Sequence, residues 1–166
     1  MRLATRFIPA RVRTRRPYRL PPELTDAIVK RAFHGDPDLF REFVATLREP
    51  LGDPDVVLRG SAVTGRSYRG HEAFDAHGPG SSDLDIVLVG PRAFQHWVPD
   101  AFYLAGVNTV PLSDKAPWVA PGLEPAREAA QALVRRPVNI QAMARWFLEL
   151  RAIVQGQKHV ILTDPE

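Results

Sequence analysis

A mixed α/β fold of the α+β type, one sheet flanked by helices, is predicted for this chain by three observations. Two short apolar runs, 56–59 and 84–89, have the length and β-branched content of strands. Four longer stretches, near 23–33, 37–47, 124–135 and 143–154, carry apolar residues at the three- and four-residue spacing of helices packed on one face. The 166 residues suit one domain with one sizeable core, and no internal repeat divides them.

Residues 1–20 show no sustained period and contain Pro9 and Pro17, so they read as an arm ahead of a single domain over 21–166. Arg2, Arg6, Arg11, Arg13, Arg15, Arg16 and Arg19 crowd this arm. Guanidinium groups pair bidentately with phosphate, so the arm suits a nucleic-acid backbone; a solvated charged tail is the other reading. After Pro21-Pro22, the positions Leu24, Ile28 and Ala32 predict a first helix. Asp36 followed by Pro37 supplies an N-cap and a first-turn proline, and Leu39, Phe40, Phe43, Val44 and Leu47 form the stripe of a second.

A turn over 49–54 leads into the strand Val56–Arg59, and Gly60-Ser61 opens a short helix expected to reach about Ser67. The Gly-, His- and Asp-rich stretch 68–80 reads as a loop insertion before the strand at Asp83–Val89. Its His71, Glu72, Asp75 and His77 have no regular spacing and read as exposed polarity rather than a second metal site. A helical turn is expected over 92–97. The proline-punctuated 98–122 has no clear period, and a loop of that length either serves the function or hides an element. Ala126, Ala129, Ala130, Leu133 and Val134 predict a helix over Glu124–Arg135, and Val138–Ile140 a third strand. Met143, Trp146, Phe147, Leu150, Ile153 and Val154 mark a final helix whose stripe is expected in the core, with docking of Trp146 and Phe147 on a partner as the alternative. His159–Leu162 is short enough for a last strand.

Composition excludes several classes. No apolar run is long enough to span a bilayer, and the N-terminus lacks the apolar stretch of a signal peptide. Without cysteine the chain makes no disulfide and no thiolate metal site, which fits a reducing, cytoplasmic setting. The net charge is +3, so the basic character is a matter of distribution more than of total.

The chemistry concentrates in two neighbouring segments. Strand side chains alternate, so Asp83 and Asp85 share one face while Leu84, Ile86 and Leu88 share the other. Two carboxylates one strand repeat apart, about 7 Å between Cα atoms, have the spacing to converge on divalent cations. An exposed edge strand that merely alternates is the competing explanation. Gly60 lets a phosphate approach the backbone, and Ser61 offers a hydroxyl and a turn with free N–H groups.

Jointly, Leu58-Arg59-Gly60-Ser61 and Ser82-Asp83-Leu84-Asp85-Ile86 resemble the nucleotidyltransferase superfamily that includes DNA polymerase beta, the minimal nucleotidyltransferases of toxin–antitoxin pairs and the aminoglycoside adenylyltransferases. The resemblance covers roughly Val56–Val89 and, more weakly, the chain to about Ala142. It implies a nucleotidyltransferase-like mixed sheet and transfer of a nucleoside monophosphate from a triphosphate, with loss of pyrophosphate. It implies Mg²⁺ on Asp83 and Asp85, and a triphosphate placed by Gly60, Ser61, Arg66 and Ser82. The acceptor it implies is a hydroxyl of an RNA, tRNA-like, or of a protein, as in toxin–antitoxin systems. The sequence departs from the pattern twice: by the insertion 68–80, and by Asn139 where the family carries a third carboxylate. An amide orients a group but takes no proton, so activation of the hydroxyl is left to solvent, to the metal, to Asp114 or to Glu149. A catalytically inactive nucleotide- or RNA-binding module of the same fold is the alternative.

Overall fold

The computed structural model describes residues 22–51, 55–68, 70–90 and 92–162. The arginine-rich arm expected over 1–20 lies outside these residues.

The fold is a mixed α/β one, as the alternation and helical stripes predict. Helices α1 (Pro22–Ala32) and α2 (Pro37–Arg48) come first, then strand β1 (Asp55–Arg59), helix α3 (Ser61–Thr64) and strand β2 (Leu84–Val89). Strands β3 (Phe102–Leu104) and β4 (Asn108–Thr109) form a small hairpin. Helix α4 (Glu124–Val134), strand β5 (Val138–Ala142), helix α5 (Arg145–Gln155) and strand β6 (His159–Leu162) complete the chain. The main sheet has the order β5-β2-β1-β6. Pairing is antiparallel at β1–β2 and β1–β6 and parallel at β2–β5.

Local chemistry sets the boundaries. Asp36 caps α2 by accepting the amides of Asp38 and Leu39 at 2.8 and 3.2 Å, with Pro37 in the first turn where no N–H is needed. Gly65, at φ 81°, ends α3 after one turn, so that helix stops short of the predicted Ser67.

The two sheet faces have different fates. Val56, Leu58, Leu84, Ile86, Leu88, Val138 and Ile140 point to the face covered by α1, α2, α3 and α4. There Phe33 stacks edge-on against Phe40 and Phe43, with centroids 5.0 and 5.2 Å away. The opposite face is divided along its length. Val57, Val87, Val89 and Met143 lie under Leu148 and Phe147 of α5. Beyond them the same face carries Arg59, Asp85 and Asn139, which stand side by side in register across three strands.

One open alternative is decided and one expectation is corrected. The stretch 98–122 does hide structure: beside the β3–β4 hairpin, Leu112 exchanges both backbone hydrogen bonds with Ile140 at 2.8 and 3.0 Å, so this segment covers the free edge of β5. The apolar stripe expected over 143–154 is only partly in the core: Met143 is fully buried, but Trp146, Leu150, Ile153 and Val154 are exposed. Phe147 and Leu148 reach the sheet, whereas Trp146 is 59 % and Ile153 81 % exposed, because α5 lies over an end of the sheet and, among the described residues, its outer side is not covered.

Candidate active site

A cleft of about 560 Å³ opens at the polar end of the divided face. One wall is α3 and the turn after it, with Ser61, Thr64, Arg66, Tyr68 and His71. The floor is Arg59, Asp83 and Asp85, and the facing wall is Arg151, Gly156, Gln157 and Lys158 from the end of α5 and the approach to β6.

Asp83 and Asp85 are half-buried on one face, as period two requires. Gly60 adopts φ 78°, and a Cβ there would lie 3.0 Å from Asp85 Oδ2, so the backbone turn passes directly beside the carboxylate. The glycine is needed twice over, for the left-handed φ and for the missing methyl. Arg31 of α1 buttresses this turn by donating to the carbonyls of Ala62 and Val63 at 2.7 and 3.1 Å.

Asn139 sits opposite Asp85 in the parallel pair and bridges both acids. Its Nδ2 donates to Asp83 Oδ2 at 2.5 Å and to Asp85 Oδ1 at 3.4 Å. Those two oxygens are therefore no further apart than the sum of the two bonds. Burial, and then the neighbouring Asp85 charge, hold the Asp83 carboxyl above its usual range, against the opposing pull of Asn139 and Arg59. Of the two, the like charge of Asp85 is what a cation between the acids would relieve.

A hard divalent cation such as Mg²⁺ is bound through one or two carboxylates, with substrate phosphates and water completing its shell. The residues present fit that group: Asp83 and Asp85 supply two charged oxygen ligands at one mouth, and Asn139 adds an amide with no charge. Among the described residues no cluster of three or more His, Cys, Asp or Glu side chains is placed to hold a metal.

The remaining predicted residues fall out as follows. Gly60, Ser61 and Arg66 line the cleft, and Arg66 Nη1 donates to the His71 carbonyl at 3.0 Å. Ser82 is engaged elsewhere: its hydroxyl accepts the Asp75 amide at 2.8 Å, outside the cleft lining. Asp114 pairs with Arg127 at 2.8 Å, and Glu149 lies 3.6 Å from His159; neither lines the cleft.

The insertion is not free polarity throughout. Asp75 accepts both terminal nitrogens of the buried Arg136 at 3.0 and 3.1 Å, and the amides of Ser82 and Gly80 at 2.9 and 3.2 Å. Arg136 also covers the Phe74 ring at 4.7 Å and donates to the Ser82 carbonyl at 3.2 Å. This clamp fixes the chain immediately before Asp83.

Sequence reasoning missed Arg59, Tyr68, Arg151 and Lys158. Arg59 was recoverable, because alternation along β1 puts it on the face of Val57, and antiparallel pairing sets it against Asp85. Arg151 and Lys158 come to the cleft through the docking of α5 and the β1–β6 pairing, which no local pattern signals.

The site thus defines a class by its parts: a carboxylate pair, a glycine-serine turn and a basic wall around one space on a mixed sheet. No protein-family model, no curated protein and no solved structure matches the chain.

Proposed function

We propose that the chain is a Mg²⁺-dependent nucleotidyltransferase that moves a nucleoside monophosphate from a triphosphate to an acceptor hydroxyl, on RNA or on protein. One observation carries the reading: Asp83 and Asp85 converge on the mouth that Gly60 and Ser61 line, with Asp85 Oδ2 against the Gly60 backbone. An edge strand of exposed, unrelated acids would have none of this convergence.

In this reading Asp83 and Asp85 hold the cation. When bound, Mg²⁺ neutralises charge that builds on the phosphoryl oxygens and the leaving group. Gly60 leaves room for the phosphates, Ser61 donates to them, and Arg66 pairs with the triphosphate. The acceptor oxygen bonds to the α-phosphorus as the bridging oxygen of the β-phosphate leaves with pyrophosphate. Asn139 takes no proton, so the proton of the hydroxyl passes to solvent. Alignment and fixed charge supply most of the rate, as is general for phosphoryl transfer. A cysteine-free consumer of triphosphates suits the cytoplasm, and among the described residues no helix is long and apolar enough to cross a membrane. Action within a toxin–antitoxin pair is compatible with this chemistry.

The test is incubation with each α-labelled triphosphate, total RNA and lysate protein, followed by separation of the labelled fraction. The D83A/D85A double variant should lose transfer by about a thousandfold, the equivalent of about 4 kcal/mol of charge stabilisation. Undiminished transfer from a folded double variant overturns the reading.

A second reading has its own observation. Asn139 Nδ2 donates to both carboxylates, so the amide occupies oxygens that a cation would need and supplies no third charge to hold it. A binding module that has lost its chemistry would take nucleotide or RNA with no response to Mg²⁺ and release no pyrophosphate.

A further inference from the structure

The nucleotidyltransferase reading leaves its acceptor open, and the cleft holds more positive charge than that reading uses. Arg59, Arg66, Arg151 and Lys158 face two carboxylates. Among the described residues no ion pair forms at Arg59, Arg151 or Lys158. Arg59 donates one terminal nitrogen to Gln141 Oε1 at 3.1 Å, while its Nε is buried with no partner. Arg151 donates its Nε to Gln155 at 3.2 Å. Burial, and then the neighbouring Arg59 charge, pull the Arg151 guanidinium below its ordinary range, against the opposing charge of Asp85. Asp85 offsets part of this repulsion, since its charge acts on Arg151 and it stands in register beside Arg59; a further anion would relieve what remains.

Across the space from this wall stands Tyr68, 56 % exposed although it lines the cleft. A basic groove with an open aromatic ring is the arrangement that takes single-stranded nucleic acid: phosphates lie on guanidinium and ammonium groups, and an unstacked base lies on the ring. A protein acceptor would present a neutral hydroxyl and leave Arg59 and Arg151 facing each other.

We propose that Arg59, Arg151 and Lys158, with Tyr68 opposite, form the acceptor subsite, and that it takes the single-stranded end of a polynucleotide. Ser61 and Arg66 serve the triphosphate on the other wall. The terminal hydroxyl oxygen of the strand bonds to the α-phosphorus, pyrophosphate leaves, the proton goes to water, and the strand grows by one nucleotide.

The test uses the full chain and short fluorescent single-stranded RNA and DNA oligonucleotides, read by anisotropy without triphosphate or metal. The R151A/K158A double variant should bind at least about tenfold more weakly. Its slope of log affinity against log salt should shrink by about 1.4, from about 0.7 for each lost single-strand phosphate contact. Y68A should weaken binding about tenfold while Y68F does not, as expected for stacking. The segment 1–20 is common to all variants, so the differences isolate the cleft. Binding of a non-hydrolysable fluorescent triphosphate with Mn²⁺ should stay within about twofold in the same variants. A preference between the RNA and DNA arms identifies which polynucleotide is the acceptor.

If R151A/K158A loses triphosphate affinity and keeps oligonucleotide affinity, the wall belongs to the triphosphate and the proposal fails. It fails equally if α-label enters protein and the variants bind oligonucleotide like the parent; the nucleotidyltransferase reading then stands. Oligonucleotide binding that follows the predicted slopes without any transfer upholds a single-strand groove but defeats its role as an acceptor subsite, together with the enzymatic reading.

Discussion

A methyl group on Gly60 would meet Asp85 Oδ2 at 3.0 Å, from a backbone at φ 78° and ψ −153° that side chains rarely adopt. The G60A variant should therefore lose about 1–3 kcal/mol in urea unfolding, and its displaced Asp85 should weaken Mn²⁺ binding in the same preparation. The two acids flanking the end of the insertion respond to pH in opposite senses. Asp83 titrates above its usual range in the folded chain, through burial and then the Asp85 charge, so stability is lost as pH rises from the unfolded value through the folded one. Calorimetry should show D83N melting above the parent at pH 7, with the gain vanishing below about pH 4, the unfolded carboxyl range. Asp75 is pushed up by burial, but hydrogen bonds from Arg136 and from the Ser82 and Gly80 amides outweigh that and hold it below its usual range. Its contribution is complete above the unfolded pKa and disappears as pH falls through the folded value. Urea midpoints of D75N should sit below the parent's at pH 7 and approach it in acid; a constant gap at every pH would detach Asp75 from the acid limb.

Helix α5 separates what period alone discloses from what packing decides. Its stripe at Trp146, Phe147, Leu150, Ile153 and Val154 is helical in spacing, and the helix forms as predicted. Periodicity names a face; it does not name the surface that face meets. Leu148, absent from the predicted stripe, is the residue buried against Val57, Val87 and Met143, while Ile153 lies 81 % exposed. L148A should cost about 2–5 kcal/mol, and I153E should stay within about 0.5 kcal/mol, both by urea unfolding. A reversal of that order would place α5 the other way round. The same limit explains 98–122: it pairs through single residues, Leu112 with Ile140 of β5 and Asn108 with Met143 just beyond it, too few for alternation to register. The strands β1 and β2, by contrast, were legible because one face is apolar throughout, so Asp83 and Asp85 were forced together on the other. The insertion was legible as a departure but not as a clamp. The partner of Asp75 is Arg136, which is distant in sequence and has no local pattern around it.

Across the whole molecule the cleft is a joint product of distant segments. Arg59 pairs with Asp85 and His159 in register, Asn139 comes in through the parallel β2–β5 pair, and Arg151 arrives with α5. The sequence pointed to Gly60, Ser61, Arg66, Asp83, Asp85 and Asn139, and did not point to Arg59, Tyr68, Arg151 and Lys158, three of which strand pairing and the docking of α5 bring in. Such pairings close long loops, whose entropy the contacts across the cleft must repay. A ligand that bridges the walls therefore stabilises the entire fold and not one segment. Saturation of the cleft at about 100 times Kd should add about 2.7 kcal/mol, about 5–10 °C in Tm for a chain of this size. With Mg²⁺ and a non-hydrolysable triphosphate, Trp fluorescence and far-UV circular dichroism should move together by that amount. In D83A/D85A the metal-dependent part of the shift should vanish while the metal-free transition stays cooperative. A shift confined to one probe would mean that the ligand orders a local segment, and that the two walls do not hold it jointly.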